Sequence, residues 1–249
     1  MKSSSVPALD RGLNIIEFVA KAKRPVGFNQ MLEELKIPKA TLARIVKVLQ
    51  ERHYIVKLQD TGRYKPGPKM ALFDETGFLS RYMFEKGSPL LDILARKTGN
   101  TALLLEWSEQ AFRCLAKRTH PDSIVMQEVG RISYDVDCSP WGWICYTHQI
   151  QERQQELQKQ MTEPQRFLKE YPQDLAFYEA HQFAYDDCRF FRYARRLAAP
   201  IFGPDEQVVG LFALGGTSVS IPDSAIQSYG ALLVEQANAL SIKLRSTGG

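Results

Sequence analysis

The chain has 249 residues, 44% of them hydrophobic and 24% charged, a length that favours two domains and a composition that excludes disordered and fibrous architectures. No stretch reaches the roughly 18 consecutive apolar residues of a membrane span. Met1 to Ser5 is short and polar and lacks the apolar run of a secretory signal, so a cytoplasmic location is expected. The net charge of +4 conceals an asymmetry: residues 1–72 hold 14 Lys+Arg against 6 Asp+Glu, and the remainder 18 against 22. A basic first domain on a mildly acidic body suits a polyanionic partner at one end.

Leu9, Leu13, Ile16 and Ala20 recur at helical spacing and predict a first helix ending before Lys23-Arg24-Pro25. Gly27 and Asn29 open a short second helix with Phe28, Leu32 and Leu35 on its apolar face. Pro38 cannot continue that helix but fits the first turn of a third. There Leu42, Ile45, Val46 and Leu49 form an inward stripe, and Lys39, Thr41, Arg44 and Lys47 point outward. Tyr54 to Leu58 reads as a strand, Gln59-Asp60-Thr61-Gly62 as a turn, and Arg63-Tyr64-Lys65 as the returning strand. Two helices joined by a tight turn, followed by a basic hairpin, make a winged helix-turn-helix over residues 1–69.

Met70 to Phe84, carrying Leu72, Phe73, Leu79 and Met83, predicts a linker helix within 70–87, broken at Gly87-Ser88-Pro89. A second domain over 88–246 then opens with a helix from Pro89 to Lys97. Its strands are expected at Thr101–Trp107, Phe112–Ala116, Ile124–Val129, Phe183–Asp186, Arg195–Phe202 and Val208–Gly215. Helices are expected at Trp141–Gln160, Glu163–Lys169 and Gln173–Ala180. A closing amphipathic helix carries Ile226, Leu233, Ala237, Leu240 and Leu244. The fold class is therefore α+β.

Cys114, Cys138, Cys145 and Cys188 match neither a disulfide framework nor a CxxC pair, and reduced, mostly buried thiols are expected. Cys138 with His148, or Cys188 with His181, lacks the spacing of a nucleophile–base pair, so no catalysis is expected. The four histidines have no metal-ligand spacing, and neither a GxGxxG nor a P-loop pattern occurs; no cofactor or metal is expected.

Three runs carry a family resemblance: Ala8 to Glu17, Leu35 to Arg44, and Gly62 to Pro68. In order and spacing they resemble the DNA-binding domain of IclR-type (isocitrate-lyase-regulator) transcription factors across about 70 residues. Leu90 to Gly99, Leu197 to Ile201 and Val208 to Leu214 are similar to that family's effector domain. The resemblance implies a GAF-like α/β sensor domain, homodimers or tetramers, operator DNA as partner, and a small organic effector. The chain departs from the family where ligand binds. Trp141-Gly142-Trp143 keeps the glycine of a usual Gly-Lys pair but not the lysine, Cys188 replaces an expected acid, and Arg196 stands where a cysteine is common.

Lys39, Thr41, Arg44 and Lys47 are either a solvated helix face or a DNA-reading one. The tight turn before them, the basic wing after them and the positive domain around them favour DNA. Arg44 is then suited to a bidentate pair with guanine, while Thr41, Lys57, Arg63 and Lys65 are suited to phosphates. Cys138, Trp141, Trp143, Asp186, Cys188 and Arg196 are the candidate effector contacts. Trp141 and Trp143 either wall a pocket or plug it. Arg196 needs a partner if buried, and Asp186, Asp187 or a ligand carboxylate are the options. The alternative function is a regulator of the same fold with a vestigial pocket, independent of effector or working by protein contact.

Overall fold

The computed structural model describes residues 6–22, 24–70, 77–108, 110–121, 123, 127–134 and 136–246. The chain divides into two compact units, Met1–Phe78 and Leu79–Gly249.

The first unit comprises α1 (Pro7–Lys21), α2 (Phe28–Leu35), α3 (Lys39–Glu51) and the antiparallel pair β1 (Ile55–Lys57) and β2 (Tyr64–Pro66). Its core is built from Ile15 and Val19 of α1, Met31 of α2, Leu42, Val46 and Leu49 of α3, and Ile55 and Tyr64 of the hairpin. Burying each such aliphatic side chain stabilises the unit by about 1.5–3 kcal/mol relative to exposure. The left-handed backbone of Lys36 ends α2, and the Pro38 carbonyl accepts from the Thr41 and Leu42 amides at 2.9 Å, so Pro38 caps α3 rather than entering it. Gly67 is required by contact, since a Cβ there would lie 2.3 Å from the His53 carbonyl oxygen. The Leu9 and Leu13 edge of α1 does not join the core. Instead it lines an open apolar groove of about 650 Å³ with Ile16, Ile45, Val48, Tyr54 and Met70.

The second unit is a six-stranded antiparallel sheet between two helical layers. In chain order it runs α4 (Phe78–Thr98), β3 (Thr101–Ser108), β4 (Ala111–Arg118), β5 (Ile132–Ser133), α5 (Pro140–Thr147), α6 (Gln151–Gln158), α7 (Pro164–His181), β6 (Ala184–Asp187), β7 (Ala194–Phe202), β8 (Val208–Thr217) and α8 (Asp223–Ser246). The spatial order of the strands is β5-β4-β3-β8-β7-β6. Because strand side chains alternate in direction, Leu104, Phe212, Leu197 and Ala199 face α4 and α8, whereas Leu103, Leu105, Leu211, Ala213 and Ala198 face α5 and α7.

Four sequence expectations require correction. Helix α4 runs unbroken through Gly87-Ser88-Pro89, because Gly87 lies against the side chains of Leu104 and Leu240 and lets the helix sit close to the sheet. The linker helix and the first helix of the second domain are thus one element from Phe78 onward; Leu72 and Phe73 lie outside the described residues. Helix α7 likewise continues through Pro172. The expected long helix over Trp141–Gln160 is two, interrupted at residues 148–150. The strand expected over Ile124–Val129 is not found at residues 127–129, and residues 124–126 are outside the described set; the strand pairing with β4 is Ile132–Ser133.

Candidate functional site

Two clusters carry chemistry, one in each unit. On α3, Lys39, Ala40, Ala43, Arg44 and Lys47 are exposed and Thr41 is half-buried. At 100° per residue, Ala40, Arg44 and Lys47 centre the face opposite Leu42 and Val46, with Lys39 and Thr41 at its two edges. The alanines leave the helix backbone free to approach a groove closely, a feature missed in reading the charged residues alone. Lys47 lies 3.8 Å from Glu51, one turn on, in an exposed pair worth little in water. The Arg44 stem also borders the apolar groove.

The wing stands beside this helix. Val26 and Tyr64 exchange two backbone hydrogen bonds of 2.8 Å, so the segment before α2 extends the hairpin. Arg63 donates from Nη1 to the Pro25 carbonyl at 3.3 Å, and the Lys57 ammonium sits 5.9 Å over the Tyr64 ring. Lys57, Arg63 and Lys65 are all exposed. The exposed basic helix and the tethered basic hairpin suit a groove and its flanking phosphates.

In the second unit the site forms where the start of α5 meets β6 and β7. Ser139 caps α5, accepting the Gly142 amide at 3.1 Å. A Cβ on Gly142 would lie 1.9 Å from the Val136 carbonyl, which explains the glycine between two tryptophans. Trp141 and Trp143 are buried. Arg196 and Asp186, directly opposite on paired strands, form a buried ion pair: Arg196 Nε donates to Asp186 Oδ2 at 2.8 Å and Nη2 donates to the same oxygen at 2.5 Å. Arg196 Nη2 also donates to the Cys138 carbonyl at 2.9 Å. Its guanidinium carbon lies 5.2 Å from the Trp141 ring centre and 5.0 Å from that of Phe191.

Cys138 occupies the turn before Ser139 and contributes its backbone. Trp143 joins through Arg189, whose guanidinium lies 4.3 Å over its ring. Cys188 is set apart on the other side of the hairpin, with its thiol on Asp187. Asp187 in turn takes Arg195, whose guanidinium holds that carboxyl below the usual carboxylate range.

The residues missed are those between β6 and β7. Arg189 donates from Nη2 to Asp174 Oδ1 at 2.7 Å and from Nη1 to Glu170 Oε2 at 3.2 Å, and its amide donates to Asp186 Oδ1 at 3.2 Å. Burial holds the Asp174 carboxyl above the usual range despite Arg189. A signal for this clamp was present, in that Glu170 and Asp174 share one helix face and the basic-aromatic run Arg189 to Tyr193 joins two strands. The suggested cysteine–histidine pairs find other uses: His148 bonds the Tyr178 hydroxyl at 2.8 Å, and His181 packs on Phe177 and Phe183.

A family model for the IclR helix-turn-helix domain matches residues 8–59, which span α1 through the end of β1. The helix-turn-helix of the first unit is thus of the IclR type. It is 18% identical over 248 residues to the transcriptional repressor IclR of Escherichia coli strain K12, covering 96% of this chain and 90% of that protein. It is also 22% identical over 102 residues to the acetate operon repressor of Salmonella typhimurium, covering 41% and 37%. Among solved structures, an IclR-family transcriptional regulator from Rhodococcus sp. superimposes with a TM-score of 0.67 at 17% identity, covering 99% of this chain and 95% of that one. An IclR-family regulator from Brucella abortus gives 0.58 at 19% identity, covering 96% and 92%. The likeness to these structures extends to both units of the fold. Among the described residues, no helix is long and apolar enough to cross a membrane, and no cluster of His, Cys, Asp and Glu has metal-binding geometry.

Proposed function

We propose that this protein is an IclR-type, sequence-specific transcription regulator that docks α3 in the major groove of operator DNA as a two-fold homo-oligomer. Ala40, Arg44 and Lys47 then face the bases, with Lys39 and Thr41 at the edges and Lys57, Arg63 and Lys65 on the phosphates. The exposed basic face of α3, flanked by a wing tethered at Val26 and Pro25, carries this reading. Footprinting tests it: a two-fold protein protects half-sites spaced by about 34 Å or a multiple. Uniform binding with no protected sequence and a steep loss in salt overturns it.

For the second unit the proposal is a sensor, with a small organic effector entering beside Trp141, Trp143 and Arg196. An anionic effector has to compete with Asp186 for the Arg196 guanidinium. That internal pair favours a second reading as well, in which the domain acts without an anionic effector. Thermal-shift screening against small carboxylates separates the two. Stabilisation that is lost in Arg196→Lys supports the anionic effector, because an ammonium cannot reproduce the planar two-pronged contact. Absence of any carboxylate-dependent shift supports the second reading.

A further inference from the structure

The six residues joining β6 to β7, Cys188 to Tyr193, do more than turn the chain. Both ends of the segment have left-handed backbone, Cys188 at φ 57° and Tyr193 at φ 76°, a conformation that non-glycine residues hold only where the surroundings impose it. Between these ends the segment places three side chains over the sensor cluster. Arg189 stacks on Trp143 at 4.3 Å, Phe190 lies 6.3 Å from the Trp143 ring and 5.9 Å from the Arg196 guanidinium, and Phe191 lies 5.0 Å from that guanidinium. Phe191 is nevertheless 58% exposed, so it covers the site from outside rather than belonging to the core.

The segment is fastened to α7 chiefly by one residue. Arg189 is held in two parallel bonds by Asp174, at 2.7 and 3.2 Å, and by Glu170 at 3.2 Å, while Arg166 of the same helix lies 5.0 Å from the Phe190 ring. Backbone bonds close the loop beneath: Cys188 N–H to the Ala194 carbonyl at 3.2 Å and Ala194 N–H to the Phe191 carbonyl at 2.9 Å.

We infer that residues 188–193 are a built-in plug over the sensor site, hinged at Cys188 and Tyr193 and latched by Arg189 to Asp174 and Glu170. Resting on the reading that the effector enters beside Trp141, Trp143 and Arg196, this makes Arg189 a positioning residue. An effector reaches the tryptophans only when Phe190 and Phe191 swing away, and a planar aromatic or guanidinium-binding group is the chemistry that replaces what they leave. Releasing the latch lowers the cost of opening without altering the sheet.

The test uses the full-length chain in a Trp107→Phe background, so that emission reports Trp141 and Trp143, with acrylamide as the probe. Arg189→Gln and Asp174→Asn are each expected to raise the quenching rate constant severalfold, because local opening of the segment exposes the tryptophan rings to the quencher. Arg189→Lys, which keeps the charge but not the two-pronged bond, is expected to restore it only in part. Amide exchange read on the same variants is expected to accelerate at residues 187–195 alone. Unchanged quenching in both variants overturns the plug, as does faster exchange spreading into Leu197 to Leu214, which signals general loosening of the sheet. The carboxylate screen reads the effector site separately, so an opening plug with no responding carboxylate removes the anionic effector and leaves the plug in place.

Discussion

Asp186 and Arg196 are direct cross-strand partners on β6 and β7, and they bury a complete charge pair at 0% and 3% exposure. The carboxylate is also bonded by the Arg189 amide, and the guanidinium by the Cys138 carbonyl. Removing Asp186 strips the buried Arg196 guanidinium of its carboxylate, and removing Arg196 leaves Asp186 only the looser Arg189 contact at 3.7 Å. Asp186→Ala and Arg196→Ala are each expected to cost about 3–5 kcal/mol in chemical denaturation, whereas Asp186→Leu combined with Arg196→Met costs much less than the two single losses together. Additive losses would show that the two groups are not coupled.

Gly142→Ala is expected to destabilise the second unit by about 1–3 kcal/mol, since its Cβ would lie 1.9 Å from a backbone oxygen that cannot move aside as a side chain would. Gly99→Ala serves as a comparison. No atom stands in the way at Gly99, so only its left-handed φ of 64° opposes the change. A melting temperature for Gly142→Ala equal to wild type would contradict the close approach of α5 to Val136.

Arg44 and Arg63 are expected to fail differently on DNA. Arg44→Ala should lose about 1–3 kcal/mol on the operator and little on random DNA, as befits a base contact. Arg63→Ala should weaken both alike and lower the salt slope by about 1. Titrations at several salt concentrations distinguish these outcomes, and equal losses on both DNAs for Arg44→Ala would move that residue to the phosphates.

The cysteines should react in two classes. Burial pushes the Cys114 thiol up to about 11 and the Cys145 thiol well above its ordinary value, and little thiolate exists at either near neutrality. Cys138 and Cys188 are only half-buried, so a reagent can reach them, although burial and the Asp187 carboxylate raise the Cys188 thiol and make it the slower of the two. A thiol-disulfide reagent at pH 8 is expected to modify the second pair in the native protein and the first only after denaturation; native modification of Cys145 would contradict its burial.

Acid should release the Arg195–Asp187 pair. Arg195 holds the Asp187 carboxyl below its ordinary value of 3.8, so this contribution is present above that value and disappears as pH falls through the lower folded-state value. Asp187 is half-exposed, and Asp187→Asn is therefore expected to cost only about 0.2–1 kcal/mol near neutrality. Stability curves of mutant and wild type should converge once the pH has fallen below the depressed Asp187 carboxyl value; parallel curves would remove the pair from the acid response.

The winged helix was legible because its signals are local. The inward stripe of α3, the turn at Asp60 to Gly62 and the alternation of the wing each lie within a dozen residues of sequence, where helical and strand periodicities operate. The pairing of Arg196 with a nearby acid could be anticipated for a similar reason, since β6 and β7 are consecutive strands and the choice between Asp186 and Asp187 rests on which face each occupies. Alternation sends Asp186 to the buried side with Arg196, and Asp187 to Arg195. What the sequence by itself did not determine lies where distant segments compete with local preference. Gly87 and Pro89 carry every mark of a helix break, yet the fit of Gly87 against Leu104 and Leu240 keeps α4 whole. Leu9 and Leu13 have core spacing but face an open groove, because Ile15 and Val19 win the contact with α2 and α3. Arg189 finds Asp174 only once α7 folds back beside the β6–β7 hairpin, a contact between elements that no local pattern encodes.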